Sequence, residues 1–217
     1  MVGLEPAHKK EFQIERMILF SDAVFAIAIT LLIIEIKAPH AEDKTSLTLW
    51  ISLINMIPKF IGFFISFMVI GIYWITHHKL FGFVKDYDTK LLWLNLFFLL
   101  TIVFMPFSSA LYSENINVNL AFIIYCLNVV ASGMINLWLW RYVGNPEKNL
   151  ADTLTDPELL DFFSFRAITI PSVFAIAILL SFISPHVAKA SPIFIFPIIK
   201  FGNKKFAHTI SKYKRKD

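Results

Sequence analysis

The sequence predicts an all-α polytopic membrane protein with six transmembrane helices and both termini cytoplasmic. Three observations carry that expectation. Of 217 residues, 57% are hydrophobic, 16% aromatic and only 17% charged, with a mean hydropathy of +0.64, whereas soluble globular domains carry about 25% charged residues. The apolar runs separate at polar punctuation into six segments, and at about 1.5 Å per residue such runs cross a hydrocarbon core of about 30 Å, allowing for tilt. Lys and Arg are retained on the cytoplasmic side of short loops; with both termini inside, only Lys37, Lys44, Lys59 and Lys189 fall outside.

Residues 1–15 form a short charged lead (Glu5, Lys9, Lys10, Glu11), expected to be cytosolic. They do not read as a cleavable signal, because the following apolar run lacks a small-residue cleavage site and carries Asp22. The membrane unit is expected over 16–208, with spans near 17–36, 60–76, 91–111, 120–142, 162–183 and 192–208. The second run is short, but the preceding stretch 47–57 is itself apolar and Trp50 suits an interface, so one long helix bent at Pro58 is expected. The last run is interrupted early by Pro192 and Pro197, which leaves a re-entrant or interfacial segment as the alternative to a sixth span.

Between the fourth and fifth runs, 145–161 is polar and acidic and must lie in water. Within it, Thr155-Asp156-Pro157-Glu158 has the form of a helix start, with proline at the first helical position and an acid in the first turn. Residues 209–217 are a basic tail. The net charge of +4 is explained by this topology together with anionic headgroups, so no nucleic-acid partner is needed. The hexapeptide Val-Phe-Ala-Ile-Ala-Ile occurs at both 24–29 and 173–178, but the second copy lacks the polar residues that precede the first and is read as coincidence.

Chemistry concentrates at the start of the first span, where Arg16, Phe20, Ser21 and Asp22 run into an apolar stretch ending at Glu35. An Asp at the centre of a bilayer costs about 2.5–3.5 kcal/mol even on lenient insertion scales, so such a group faces protein or water and is paired there. On a helical wheel, Phe20, Ala23, Ile27, Thr30, Leu31 and Ile34 share one side, and Ser21 and Asp22 project about 120–140° away. Two arrangements satisfy this wheel. Either the polar side faces water, or it locks into neighbouring helices while the apolar side faces something else. Arg16 lies on a different face from Asp22, so the acid needs partners from elsewhere: Trp74, His77 and His78 near the end of the second span, or Asn95 in the third. All fall in the cytoplasmic half, and their donors and acceptors can satisfy both the carboxylate and the Ser21 hydroxyl.

These residues resemble the prokaryotic branch of the transmembrane protein 175 (lysosomal potassium channel) family. The first-helix signature Arg-x-x-x-Phe-Ser-Asp is matched by Arg16, Phe20, Ser21 and Asp22. Tyr73-Trp74-Ile-Thr-His77-His78 with Phe81, Leu91-Leu92-Trp93-Leu94-Asn95-Leu96 and Met105-Pro106-Phe107 extend the likeness. The resemblance implies a cation channel favouring potassium, assembled from four six-helix subunits around the first helix, in a prokaryotic plasma membrane. It places Ile27, Thr30, Leu31 and Ile34 on the pore wall as apolar rings with a threonine layer, and so selects the second arrangement. Taken alone, the same aliphatics read as ordinary lipid-facing or packing residues. The motif network then comprises Arg16, Phe20, Ser21, Asp22, Trp74, His77 and Asn95, acting as a structural fastener. An apolar ring offers an ion no ligand and acts as a dehydration barrier, so selectivity among monovalent cations is expected to be modest.

Other chemistries find little support. His77 and His78 point about 100° apart on a helix and no second cluster of ligands accompanies them, so no metal site beyond transient potassium is expected, and no cofactor. The single Cys126 lies among apolar residues and provides no disulfide within the chain. His40, His186 and His208 read as interfacial, and Glu35 with Lys37 as the outer mouth. No zinc-protease, nucleophile-elbow or phosphate-loop motif marks an enzyme. The rival function is a proton-coupled or proton-conducting transporter, suggested by Asp22 and the histidines.

Overall fold

The computed structural model describes residues 6–39 and 45–214, and every regular element among them is helical. Five helices are long and apolar enough to cross a membrane: α1 (Pro6–Ile34), α3 (Ile57–Phe81), α4 (Thr89–Glu114), α5 (Asn119–Val143) and α6 (Pro157–Ser181). Four shorter α-helices also lie among the described residues, α2 (Ser46–Asn55), α7 (Pro185–Ala190), α8 (Ile195–Lys205) and α9 (Ala207–Lys214), with short 3-10 turns between them and in the 145–161 connection. From Pro6 the charged lead runs in continuous helix into the first apolar run. Of the basic tail, 209–214 belongs to α9, and 215–217 lies outside the described residues, as does His40.

The expected long helix bent at Pro58 is instead two helices. Proline lacks an N–H and its ring collides with the carbonyl four residues back, so α2 ends at Asn55, Met56 is the junction, and Pro58 sits in the first turn of α3. The α2 helix buries no residue.

The expected sixth span is not one continuous helix. Pro192 falls in a 3-10 turn over Ser191–Phe194, and a further turn at Phe206 divides α8 from α9. The path nevertheless runs the length of the bundle against α6. At one end the Lys189 Nζ donates to the Ile116 carbonyl in the α4–α5 connection (2.6 Å). At the other end Lys212 pairs with Asp156 (3.1 Å), the N-cap of α6.

The bundle is built outward from α5, which lies between α4 and α6, while α1 packs on α3 and α4 at the edge of the subunit. The α5–α6 contact is tight because Gly133 has no side chain: a Cβ there would stand 2.6 Å from the Pro171 ring. The 145–161 connection begins α6 as expected, with the Asp156 carboxylate accepting from the Glu158 amide (3.1 Å) and Pro157 first in the helix. It is also anchored from beneath, since Leu150, Ala151 and Leu154 are buried. Asp88 caps α4 through the Leu91 amide (2.7 Å), and its other oxygen accepts from the Tyr142 hydroxyl.

Ion pairs tie this same end together. Lys10 on α1 meets Asp86 (2.5 Å), and Lys85 meets Asp152. The hydrogen bond from Lys10 holds the Asp86 carboxyl below the usual carboxylate range, and Lys212 does the same for Asp156. Asp156 in turn raises Lys212 above the ordinary lysine value.

Two predictions follow from this packing. A Gly133→Val variant overfills the α5–α6 contact and lowers stability by about 1–3 kcal/mol, read as a reduced thermal midpoint of the purified protein in detergent. A lowered carboxylate stabilises above its unperturbed value and loses that contribution as pH falls through the lowered one, whereas the raised lysine loses its share only at strongly alkaline pH. Hydrogen-exchange protection across α9 therefore stays level around neutrality and falls below about pH 4, and molar salt weakens it because the pair is exposed.

Candidate functional site

Ile14, Met17, Ser21, Phe25, Ala28 and Leu32 are buried, and their steps of three or four residues draw one continuous stripe along α1. The opposite side is open: Phe20 is 53% exposed, Ile27 58% and Ile34 67%, with Thr30 and Leu31 between them also exposed. A helix long and apolar enough to cross a membrane, at the edge of the bundle, thus presents an unpartnered apolar stripe containing one hydroxyl.

What fixes its rotation is a buried polar chain linking three helices. Ser21, His77 and Asn95 are each at most 2% exposed. The Ser21 hydroxyl donates to the Met17 carbonyl (2.8 Å), which can only accept. The Ser21 oxygen therefore accepts from Asn95 Nδ2 (2.9 Å), and Asn95 Oδ1 is turned to His77 Nε2 (2.8 Å). Polarity passes along the chain, so Nε2 is the protonated ring nitrogen. His77 Nδ1 has no hydrogen-bond partner, and the rings of Phe25, Phe81 and Phe98 flank the imidazole at 5.5, 4.4 and 5.7 Å.

Asp22 stands apart from this chain. Its Oδ1 accepts from Trp74 Nε1 (2.9 Å) near the surface, where both residues retain solvent access. The anticipated network is thus two units, Ser21–Asn95–His77 and Asp22–Trp74, side by side on α1, α3 and α4. His78, also a candidate partner, makes no hydrogen bond to Asp22; its ring lies 5.9 Å from the Trp74 ring and lines a basin beside α6. Arg16 and Phe20 join neither unit: Arg16 is exposed, with its guanidinium 5.9 Å from the Phe12 ring. Phe25 and Phe98 were not singled out from sequence as the walls around His77. Their signal is spacing, since Phe25 lies one turn after Ser21 and Phe98 one turn after Asn95.

On the open face, Thr30 bonds back along its own helix, donating to the Ile27 carbonyl (2.9 Å). Its proton is spent, so the hydroxyl offers only lone pairs outward. Among the described residues no group of three or more His, Cys, Asp or Glu is placed to hold a metal ion.

Comparison with known proteins bears on this arrangement. Residues 16–106, covering both polar units and the open stripe, match the family model described as the endosomal/lysosomal potassium channel TMEM175. A Chamaesiphon minutus protein named as a potassium channel is 32% identical over 168 residues, 76% of this chain and 82% of that one. The chain belongs to the TMEM175 family. A Streptomyces collinus member, also named as a potassium channel, is 38% identical over 128 residues, which span 57% of this chain and 61% of the relative. The crystal structure of a lysosomal potassium-selective channel TMEM175 homologue from Chamaesiphon minutus superimposes with a TM-score of 0.75 at 28% identity, covering 88% of this chain and 98% of that one. More distant is the human endosomal/lysosomal proton channel TMEM175, 28% identical over 129 residues and only 25% of its length.

Within this TMEM175 member the two polar units differ in what their loss exposes. Asn95→Leu strands both the buried His77 Nε2–H and the Ser21 oxygen, and lowers stability by about 1–2 kcal/mol. Trp74→Phe removes one bond from a carboxylate that water still reaches, and costs about half as much or less. Thermal unfolding of the two purified variants, side by side, checks the order; the reverse order removes the buried chain as the principal fastener.

Proposed function

We propose that this protein is a potassium-permeable channel whose pore is lined by α1 from each of four identical subunits. The observation that carries the reading is the two-sided α1: a buried polar chain fixes one face within the subunit, and Ile27, Thr30, Leu31 and Ile34 stand uncovered on the other. A single helix per subunit encloses a conduit only when several copies close a ring. The family supplies the ion, since the two bacterial relatives are named as potassium channels.

In the assembled ring, Ile27 forms an apolar constriction where partial dehydration sets the barrier. The outward lone pairs of Thr30 meet the cation or its water one turn further along. The face carrying Lys10, Lys85 and Lys212 is cytoplasmic by the positive-inside rule, with α1 entering the membrane from that side. Lys189 and the α4–α5 connection then lie outside, and the broken 185–214 segment makes the sixth crossing. The membrane is the prokaryotic plasma membrane. Arg16 and Phe20, exposed in the single subunit, meet neighbouring subunits.

Recording from purified protein in planar bilayers under opposed potassium and sodium gradients tests this reading. Steady current reversing toward the potassium equilibrium potential is expected, with Ile27→Ala raising conductance or weakening discrimination against sodium. Current that follows an imposed pH gradient instead would favour proton conduction, the activity in the human relative's name. Unchanged conductance and permeability in Ile27→Ala remove the constriction from that residue.

A further inference from the structure

Away from α1, a basin of about 1600 Å³ opens between the end of α3, the start of α6 and the C-terminal helices. Four charged side chains line it, and their pairing is unequal. Asp152 is engaged by Lys85, and Asp156 both caps α6 and pairs with Lys212. Lys79 and Arg166 have no carboxylate within ion-pairing distance among the described residues, although both line the cavity. Like charges held together repel, and an anion between them removes that repulsion as well as adding its own attraction.

The surroundings narrow the class of anion. Lys79 and Arg166 also line a second, smaller cleft of about 90 Å³, whose other walls include Ile72, Ile75, Trp140 and Phe163. Ile75 is 46% exposed, so the cleft opens on the outer surface of the bundle. Its position matches a membrane interface: Lys79 is in the last turn of α3, beside the last turn of α5, where a snorkelling lysine sits at headgroup level. The Arg166 guanidinium itself lies over the Phe162 ring, 5.7 Å from its centroid, and both line the basin; a planar guanidinium is a donor of the kind that suits phosphate oxygens. A cationic pair at the mouth of an apolar cleft, at headgroup level, is complementary to an amphiphile and not to a free ion.

We infer that Lys79 and Arg166 bind the phosphate of an anionic phospholipid whose acyl chain enters the cleft between α3 and α6. The inference concerns a surface that contains none of the α1 residues, so it stands whether or not α1 lines a pore.

The test uses the full chain in detergent, with short-chain phosphatidylglycerol, phosphatidylcholine and inorganic phosphate as probes, and thermal shift and native mass spectrometry as readouts. Phosphatidylglycerol is expected to raise the melting temperature and remain bound in the mass spectrum. Lys79→Gln and Arg166→Gln each weaken its apparent affinity about fivefold, the loss of one headgroup cation contact, whereas Arg166→Lys retains most of it. Lys79 is exposed, so its variant reports binding even where Arg166→Gln fails to fold. An equal response to phosphatidylcholine, or an unchanged response in Lys79→Gln and Arg166→Gln, overturns the site. A shift produced by inorganic phosphate at the same concentration overturns the lipid assignment and leaves a free-anion site.

Discussion

A hydroxyl, an amide and an imidazole buried together in a membrane bundle must satisfy one another, because no water is present to do it for them. That constraint decides how α1 is turned. The Met17 carbonyl takes the Ser21 proton, and from there each bond along Ser21, Asn95 and His77 has only one allowed direction. Advancing α1 by one residue rotates it by about 100°, strands Asn95 and carries Asp22 toward the aromatic cluster around His77. The native rotation is therefore selected by the polar chain, and the exposure of Ile27, Thr30 and Ile34 follows from it.

The remainder of the bundle secures the helices that hold this chain. The α3 and α4 helices carry His77 and Asn95, and α4 is braced by α5, which closes on α6 through Gly133 and Pro171. At one end the connections are clasped by Lys10–Asp86, Lys85–Asp152 and Asp156–Lys212. Individually such exposed pairs contribute little. Their geometry matters more than their energy, since they join α1, both connecting loops and the C-terminal helix at a common level.

Much of this was legible in the residues, and the reasons for the misses are physical. Asp22, Ser21, Trp74, His77 and Asn95 stand out because polar groups in apolar runs must find partners, and the set of possible partners within reach was small. Their division into two units was not legible, because it depends on side-chain directions at the crossing of three helices and not on spacing along any one. Of the prolines read as interruptions, Pro58 separates α2 from α3 and Pro192 falls in the 3-10 turn before α8, whereas Pro197 sits within α8. Hydropathy counts apolar residues, while continuity depends on whether each freed carbonyl finds another donor, which composition does not record. Apolar anchors in the acidic loop, Leu150 and Leu154, were visible at helical spacing but were overshadowed by the charge around them.

The repeated hexapeptide offers an internal control on what an exposed apolar stripe means. In α1 and α6 five of the six positions have the same burial: Phe25 and Phe174 are each 1% exposed, Ala28 and Ala177 are at most 1%, and Ile27 and Ile176 are 58% and 54% exposed, while Val173 is buried and Val24 only partly so. An open isoleucine is therefore not by itself a sign of function. The difference lies in what flanks each copy. Ser21 and Asp22 before the first correspond to Ile170 and Pro171 before the second, and Thr30 after the first corresponds to Leu179. On α6 the corresponding stripe also carries a hydroxyl, the exposed Ser172 in the place of Ala23. On α1 it contains a hydroxyl whose lone pairs point outward, backed by a buried polar chain that fixes its rotation. The buried chain that Ser21 makes with Asn95 and His77 has no counterpart at Ile170, and that contrast, more than exposure or a single hydroxyl, sets α1 apart from α6.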